Sequence, residues 1–143
     1  MISLVENKRL KPSPGAAAPT VLVVEDFDDF RFMLKLRLEL SNYRVLEAAN
    51  GWEAVEVARR ERPNLVVMDL CLPVLDGFAA TREMREQPSL YDVPIVAVTA
   101  HGTAEYRNKA AAAGCDEFLT KPFKFERLQE VMLGLLQPKQ LAA

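Results

Sequence analysis

Leu65-Val66-Val67-Met68-Asp69 is an unbroken apolar run that ends in a carboxylate, and Pro73, Asp76 and Gly77 follow shortly after it. A run this short and this apolar suits a strand buried on both faces, as in a parallel sheet covered by helices. The design recurs on either side. Val21-Leu22-Val23-Val24 ends in Glu25 and Asp26, and Ile95-Val96-Ala97-Val98 ends in Thr99. Weaker strands are predicted at Arg44 to Ala48 and Glu117 to Thr120, which completes a set of five.

Helices are predicted between them. They span Asp28 to Leu40, Gly51 to Glu61 (stopped by Pro63 and Asn64), Gly77 to Arg85, Thr103 to Ala113 and Phe125 to Leu136. Gly114 is suited to a left-handed helix stop. Repeated βα units with buried strands mean an α/β fold, a doubly wound parallel sheet with helices on both faces. One segment disagrees locally: Leu34-Lys-Leu-Arg-Leu-Glu-Leu40 alternates with period two, like a strand. Its residues are good helix formers without β-branching, and two parallel strands need a crossover between them, so a helix is predicted. On that helix Phe30, Met33, Leu34 and Leu38 share the core face. Phe32 and Leu36 point away, either as tolerated surface residues or as a docking face for a partner's helices.

The 143 residues suit one core. The stretch PSPGAAAP at 12–19 cannot form one, so residues 1–19 read as a flexible leader, 20–137 as the domain and 138–143 as a short tail. A net charge of −2, with Lys8, Arg9 and Lys11 as the one basic cluster, predicts no direct nucleic-acid partner. No apolar run reaches the length of a membrane span and no signal peptide precedes the domain, so a cytoplasmic protein is expected. Cys71 and Cys115 lack metal or redox spacing and are expected as buried free thiols.

Functional groups on open parallel sheets gather beyond the carboxyl ends of the strands. Here those ends supply Glu25, Asp26, Asp69, Thr99 and Lys121. With the first and third strands adjacent, three carboxylates share one pocket and need a cation or protons to offset their repulsion. An all-oxygen set with room for water and phosphate suits Mg2+. A carboxylate can attack phosphorus to give an acyl phosphate, and such transfer needs little beyond alignment and neutralised oxygens. Lys121 and the Thr99 hydroxyl could neutralise two of them, small Ala100 leaves the approach open, and Pro122 favours a fixed turn after Lys121.

The stretches VLVVEDFDD, VVMDLCLPVLDG, VPIVAVTAHG and AGCDEFLTKPF, in this order and spacing, resemble the receiver domains of two-component response regulators. The resemblance runs from about Thr20 to Leu136. It implies a flavodoxin-like five-stranded sheet in the order 2-1-3-4-5 with five helices. It also implies Asp69 as phosphoacceptor, with Asp26, Asp69 and the Cys71 backbone carbonyl binding Mg2+ directly and Glu25 acting through water. Thr99 and Phe118 would be switch residues that stand outward before phosphorylation and turn inward after it. Lys121 would pair with the phosphoryl group, and Cys71 and His101 would flank the path of the hydrolytic water. The implied donor is a sensor histidine kinase or a histidine phosphotransfer protein. The implied output is a protein target on the face of the fourth helix, fifth strand and fifth helix, with a phosphorylation-dependent homodimer left open. Because the chain ends soon after the fifth helix, output through another protein is expected, with no enzymatic turnover beyond the domain's own phosphorylation and dephosphorylation.

Two rivals share some of these residues. Strand one followed by Asp26-Phe27-Asp28 resembles the opening of haloacid-dehalogenase-type phosphatases, but those need a further acid pair beyond the lysine and usually a cap. A receiver-like binding module that works without phosphorylation usually lacks one of the five site residues, and none is missing here.

Overall fold

A computed structural model describes residues 17–142, with side chains through residue 136. The predicted leader therefore lies almost wholly outside the described residues. Strands β1 (Thr20–Val24), β2 (Arg44–Ala48), β3 (Leu65–Asp69), β4 (Ile95–Thr99) and β5 (Glu117–Thr120) alternate with helices α1 (Asp28–Leu40), α2 (Gly51–Glu61), α3 (Gly77–Glu86), α4 (Ala104–Ala113) and α5 (Phe125–Ala142). The sheet order is β2-β1-β3-β4-β5, and every neighbouring pair is parallel. This is the flavodoxin-like 2-1-3-4-5 arrangement with five helices.

Alternation along the strands sorts the core into two layers. Val21, Val23, Leu65, Val67, Val96 and Val98 face α1 and α5, where Leu34, Leu38, Leu128 and Met132 meet them. Their neighbours Leu22, Val24, Val66 and Met68 face the opposite side, against Ala54 and Ala58 of α2 and Ala80 and Met84 of α3. Further along that side Ala97 and Leu70 pack on Ala110 and Ala113 of α4. Strands buried on both faces, as their apolar runs predict, are the result.

Helix ends follow local chemistry. Asn50, Asp76 and Thr103 accept hydrogen bonds from the backbone N–H of Glu53, Ala79 and Tyr106, capping α2, α3 and α4. Gly114 ends α4 at φ 114°. The period-two run is helical, with Leu34 and Leu38 buried while Leu36 and Leu40 are exposed. Met33 departs from its predicted core position. It is 38% exposed, because the buried stripe of α1 is only as wide as the Leu34–Leu38 ridge. The fifth helix also runs past its predicted end at Leu136, through Pro138 to Ala142, so the residues expected as a tail continue it.

Candidate functional site

Parallel pairing brings the ends of β1 and β3 side by side, Val24 opposite Met68, so the residues that follow them meet. One carboxylate oxygen each from Glu25, Asp26 and Asp69 lies within 4.8 Å of the others. Glu25 and Asp69 are buried and Asp26 is exposed, so the cluster opens to solvent on one side. Partial desolvation, helped by a hydrogen bond with Glu25 and less by its charge, holds the Asp26 carboxyl above its ordinary pKa.

Lys121 arrives from the end of β5. Its ammonium lies 2.5 Å from Glu25 Oε1 and 3.2 Å from Asp69 Oδ2, cross-bracing the outer acid and the central one. Burial works against the Lys121 charge, but the Glu25 hydrogen bond and the Asp69 charge outweigh it and raise its pKa. The peptide bond between Lys121 and Pro122 is cis, and the Lys121 N–H donates to Thr99 O at 2.7 Å, tying the β5 exit to β4.

At the end of β4, the strand that pairs with β3, Thr99 is fully buried. Its Oγ1 accepts from the His101 N–H at 3.1 Å and lies 4.0 Å from Cys71 Sγ. The Cys71 N–H in turn donates to Asp69 Oδ1 at 3.0 Å. Behind the acceptor α3 begins at Gly77, where a Cβ would stand 2.2 Å from the Asp69 carbonyl oxygen. Only glycine lets the helix start so close. Between them, Leu75 N–H donates to Pro73 O across Val74, whose φ of 69° is strained for a β-branched residue.

Three acids, one lysine and one hydroxyl at four strand ends are thus gathered at one edge of the sheet. The family profile described as the response regulator receiver domain matches residues 21–133. The chain belongs to the response regulator receiver family. Among curated relatives it is 37% identical over 117 residues to the probable transcriptional regulator ycf27 of Porphyridium aerugineum, covering 82% of this chain and 48% of that protein. It is 35% identical over 123 residues to the transcriptional regulatory protein PrrA of Mycobacterium tuberculosis, covering 86% and 52%. The receiver therefore spans about half the length of these curated relatives. Among solved structures it is similar to the receiver domain of sensor histidine kinase PA1611 from Pseudomonas aeruginosa, which carries a magnesium ion in its active-site cleft. That match has 38% identity and a TM-score of 0.80, covering 85% of this chain and 99% of the other. The chemotaxis protein CheY4 of Vibrio cholerae matches at 31% identity and a TM-score of 0.80, covering 84% and 100%.

Within this receiver two expectations need correction. Cys71 is exposed and Cys115 half-buried, so neither is the fully buried thiol expected. Cys71 sits in the loop beyond the strand end, with its sulfur 4.0 Å from Thr99 Oγ1. Thr99 is wholly enclosed beside it. Phe118 is half-buried, with the Arg107 guanidinium 4.6 Å from its ring centre. His101 stacks on Tyr106 with centroids 4.8 Å apart, and Tyr106 packs on Phe78. Ala100 is exposed, next to the enclosed Thr99.

Two contributors escape sequence reasoning. Arg31, on the first turn of α1, donates to the Glu25 carbonyl at 2.8 Å and pairs with Asp28 and Glu47, fixing the loop that carries two of the acids. The only sequence signal for it is a basic residue one turn into a helix that opens with acids. Phe30, read as core alone, also places its ring 4.7 Å from the Lys121 ammonium. Among the described residues, no helix is long and apolar enough to cross a membrane.

Proposed function

We propose that this receiver accepts a phosphoryl group on Asp69 in a Mg2+-dependent, histidine-to-aspartate relay. The observation that carries the reading is the cross-braced cluster, in which Lys121 holds Glu25 and Asp69 while Asp26 stays open to solvent. The oxygen donor set, the close spacing and the raised Asp26 pKa all fit a hard divalent cation. Asp26, Asp69 and the Cys71 carbonyl would hold it, with Glu25 acting through water. The ion, when bound, supplies charge neutralisation for a phosphoryl oxygen.

The chain's own groups do the rest. An Asp69 carboxylate oxygen attacks phosphorus, a P–O bond forms, and the bond to the donor breaks with its electron pair leaving on the donor. Lys121 is already 3.2 Å from Asp69 Oδ2 and can follow the new oxygens. The Thr99 hydroxyl is the donor available from β4, and its movement toward the phosphoryl group would carry Phe118 with it. We read the domain as a switch rather than a turnover enzyme, since its acceptor is its own side chain and hydrolysis only resets it. Cys71 and His101 would tune that hydrolysis.

The exposed Phe32, Met33 and Leu36 on α1 support docking of a sensor histidine kinase or histidine phosphotransfer protein. Output would pass to a protein target through the α4–β5–α5 face, where a cavity of about 230 Å³ is lined by Arg107, Ala111, Cys115 and Phe118 among others. A phosphorylation-dependent homodimer is the other form that output could take. Asp69→Asn is expected to abolish labelling by radiolabelled acetyl phosphate. Stoichiometric labelling that persists in this variant would sink the assignment.

A further inference from the structure

The ammonium of Lys121 has three N–H groups to place. One goes to Glu25 Oε1 at 2.5 Å and one to Asp69 Oδ2 at 3.2 Å. The face of Phe30 lies 4.7 Å from the same nitrogen, within the range of a cation–π attraction. Phe123 meets the Phe30 ring edge to face, at 6.2 Å and 80°. Phe123 stands two residues after Lys121, so the loop that carries the lysine also steadies the ring beneath it. Both aromatics are only partly buried, packed against the rim of the α1–α5 core.

This arrangement has a chemical logic. One carboxylate partner of Lys121 changes role if Asp69 is modified, because one Asp69 oxygen enters an acyl-phosphate (mixed-anhydride) bond and new anionic oxygens appear beyond it. A ring face is neutral, does not titrate and does not exchange partners, so its attraction persists throughout. A leucine would fill the same rim but offer the ammonium nothing.

We propose that Phe30 is a positioning residue, which keeps the Lys121 ammonium over the Asp69 pocket and so sets how tightly the site holds a phosphoryl-like anion. The proposal rests on Asp69 being the phosphoryl acceptor. It makes α1 part of the anion site as well as a surface.

The test uses the full chain with Mg2+ and beryllium fluoride as the phosphoryl mimic, comparing the parent with Phe30→Leu and Phe30→Tyr. Phe30→Leu is expected to weaken beryllium fluoride binding about fivefold, while Phe30→Tyr, which keeps the ring, stays within about twofold of the parent. Proton NMR of the parent should show the Lys121 ε-methylene shifted upfield by the ring, an effect lost in Phe30→Leu and kept in Phe30→Tyr. Parent-like binding by Phe30→Leu, equal loss in both variants, or an unshifted Lys121 methylene in the parent would each overturn the proposal. The last readout needs no variant to fold. A parent chain that binds no beryllium fluoride at all would instead overturn the acceptor reading, and the proposal with it.

Discussion

The two flanks of Asp69 are held in different ways. Where α1 lies across the β1 and β5 exits, Glu25, Lys121, Phe30 and Arg31 interlock through ion pairs, a ring face and a bond to a backbone carbonyl. On the β4 side, Thr99 has one backbone N–H and a sulfur 4.0 Å away, and α4 beyond it buries only Ala110 and Ala113. Charged, desolvated contacts cost much to break, whereas small side chains and a lone hydroxyl cost little to rearrange. The braced flank is built to hold a charge in place. The more sparsely bonded flank is the one that the proposed switch would move once that charge changes.

The largest effect should come from breaking the brace. Lys121→Ala leaves the buried Glu25 without its cation and is expected to cost about 2 kcal/mol of stability, a figure that allows for the partial exposure of Lys121. Urea unfolding near neutral pH would measure it, and added Mg2+ should recover part of the loss. The raised pKa of Lys121 fixes the sign with pH: its contribution is complete below pH 10.5 and fades as pH climbs through the higher folded-state value. Parent and variant stabilities should therefore converge in strong alkali. A gap unchanged by alkali would mean that packing, not charge, holds this flank.

Thr99→Val probes the other flank and should cost less than about 1 kcal/mol, since its hydroxyl has so few partners. Its cost should instead fall on signalling. The beryllium fluoride-induced change in the Phe118 resonances is expected to vanish, and a normal response would remove the contrast between the flanks. The smallest effect belongs to Asp26. Because its folded-state pKa is raised, its contribution to stability is lost as pH rises through 3.8 and above, and its ionised form costs stability at neutral pH. Asp26→Asn should stabilise the metal-free protein by less than about 1 kcal/mol, as water screens this exposed group. Added Mg2+ should stabilise the parent more than the variant, and an equal gain in both would separate Asp26 from the ion.

The sheet and the five strand-end residues were legible because each depends on local pattern: an apolar run, a terminal acid, a lysine before proline. The strand order rests on family resemblance, and the observed pairing agrees with it. What pattern missed was contact between distant segments. The Phe30 ring over Lys121 and the Arg31 bond to Glu25 depend on how α1 lies across the β1 and β5 exits, which no periodicity encodes. Met33 was misplaced because a helical wheel assigns a face, while burial depends on the width of what packs there. The absence of metal or redox spacing says nothing of burial, and Cys71 is exposed because its loop lies outside the layered core.

The Glu25–Lys121 pair joins residues 96 positions apart. During synthesis on the ribosome all three acids emerge long before the lysine that offsets them. A nascent or truncated chain lacking β5 would carry their repulsion with no internal cation and no means of gripping a transferred anion. The braced site thus takes shape only once β5 and Lys121 have joined the sheet.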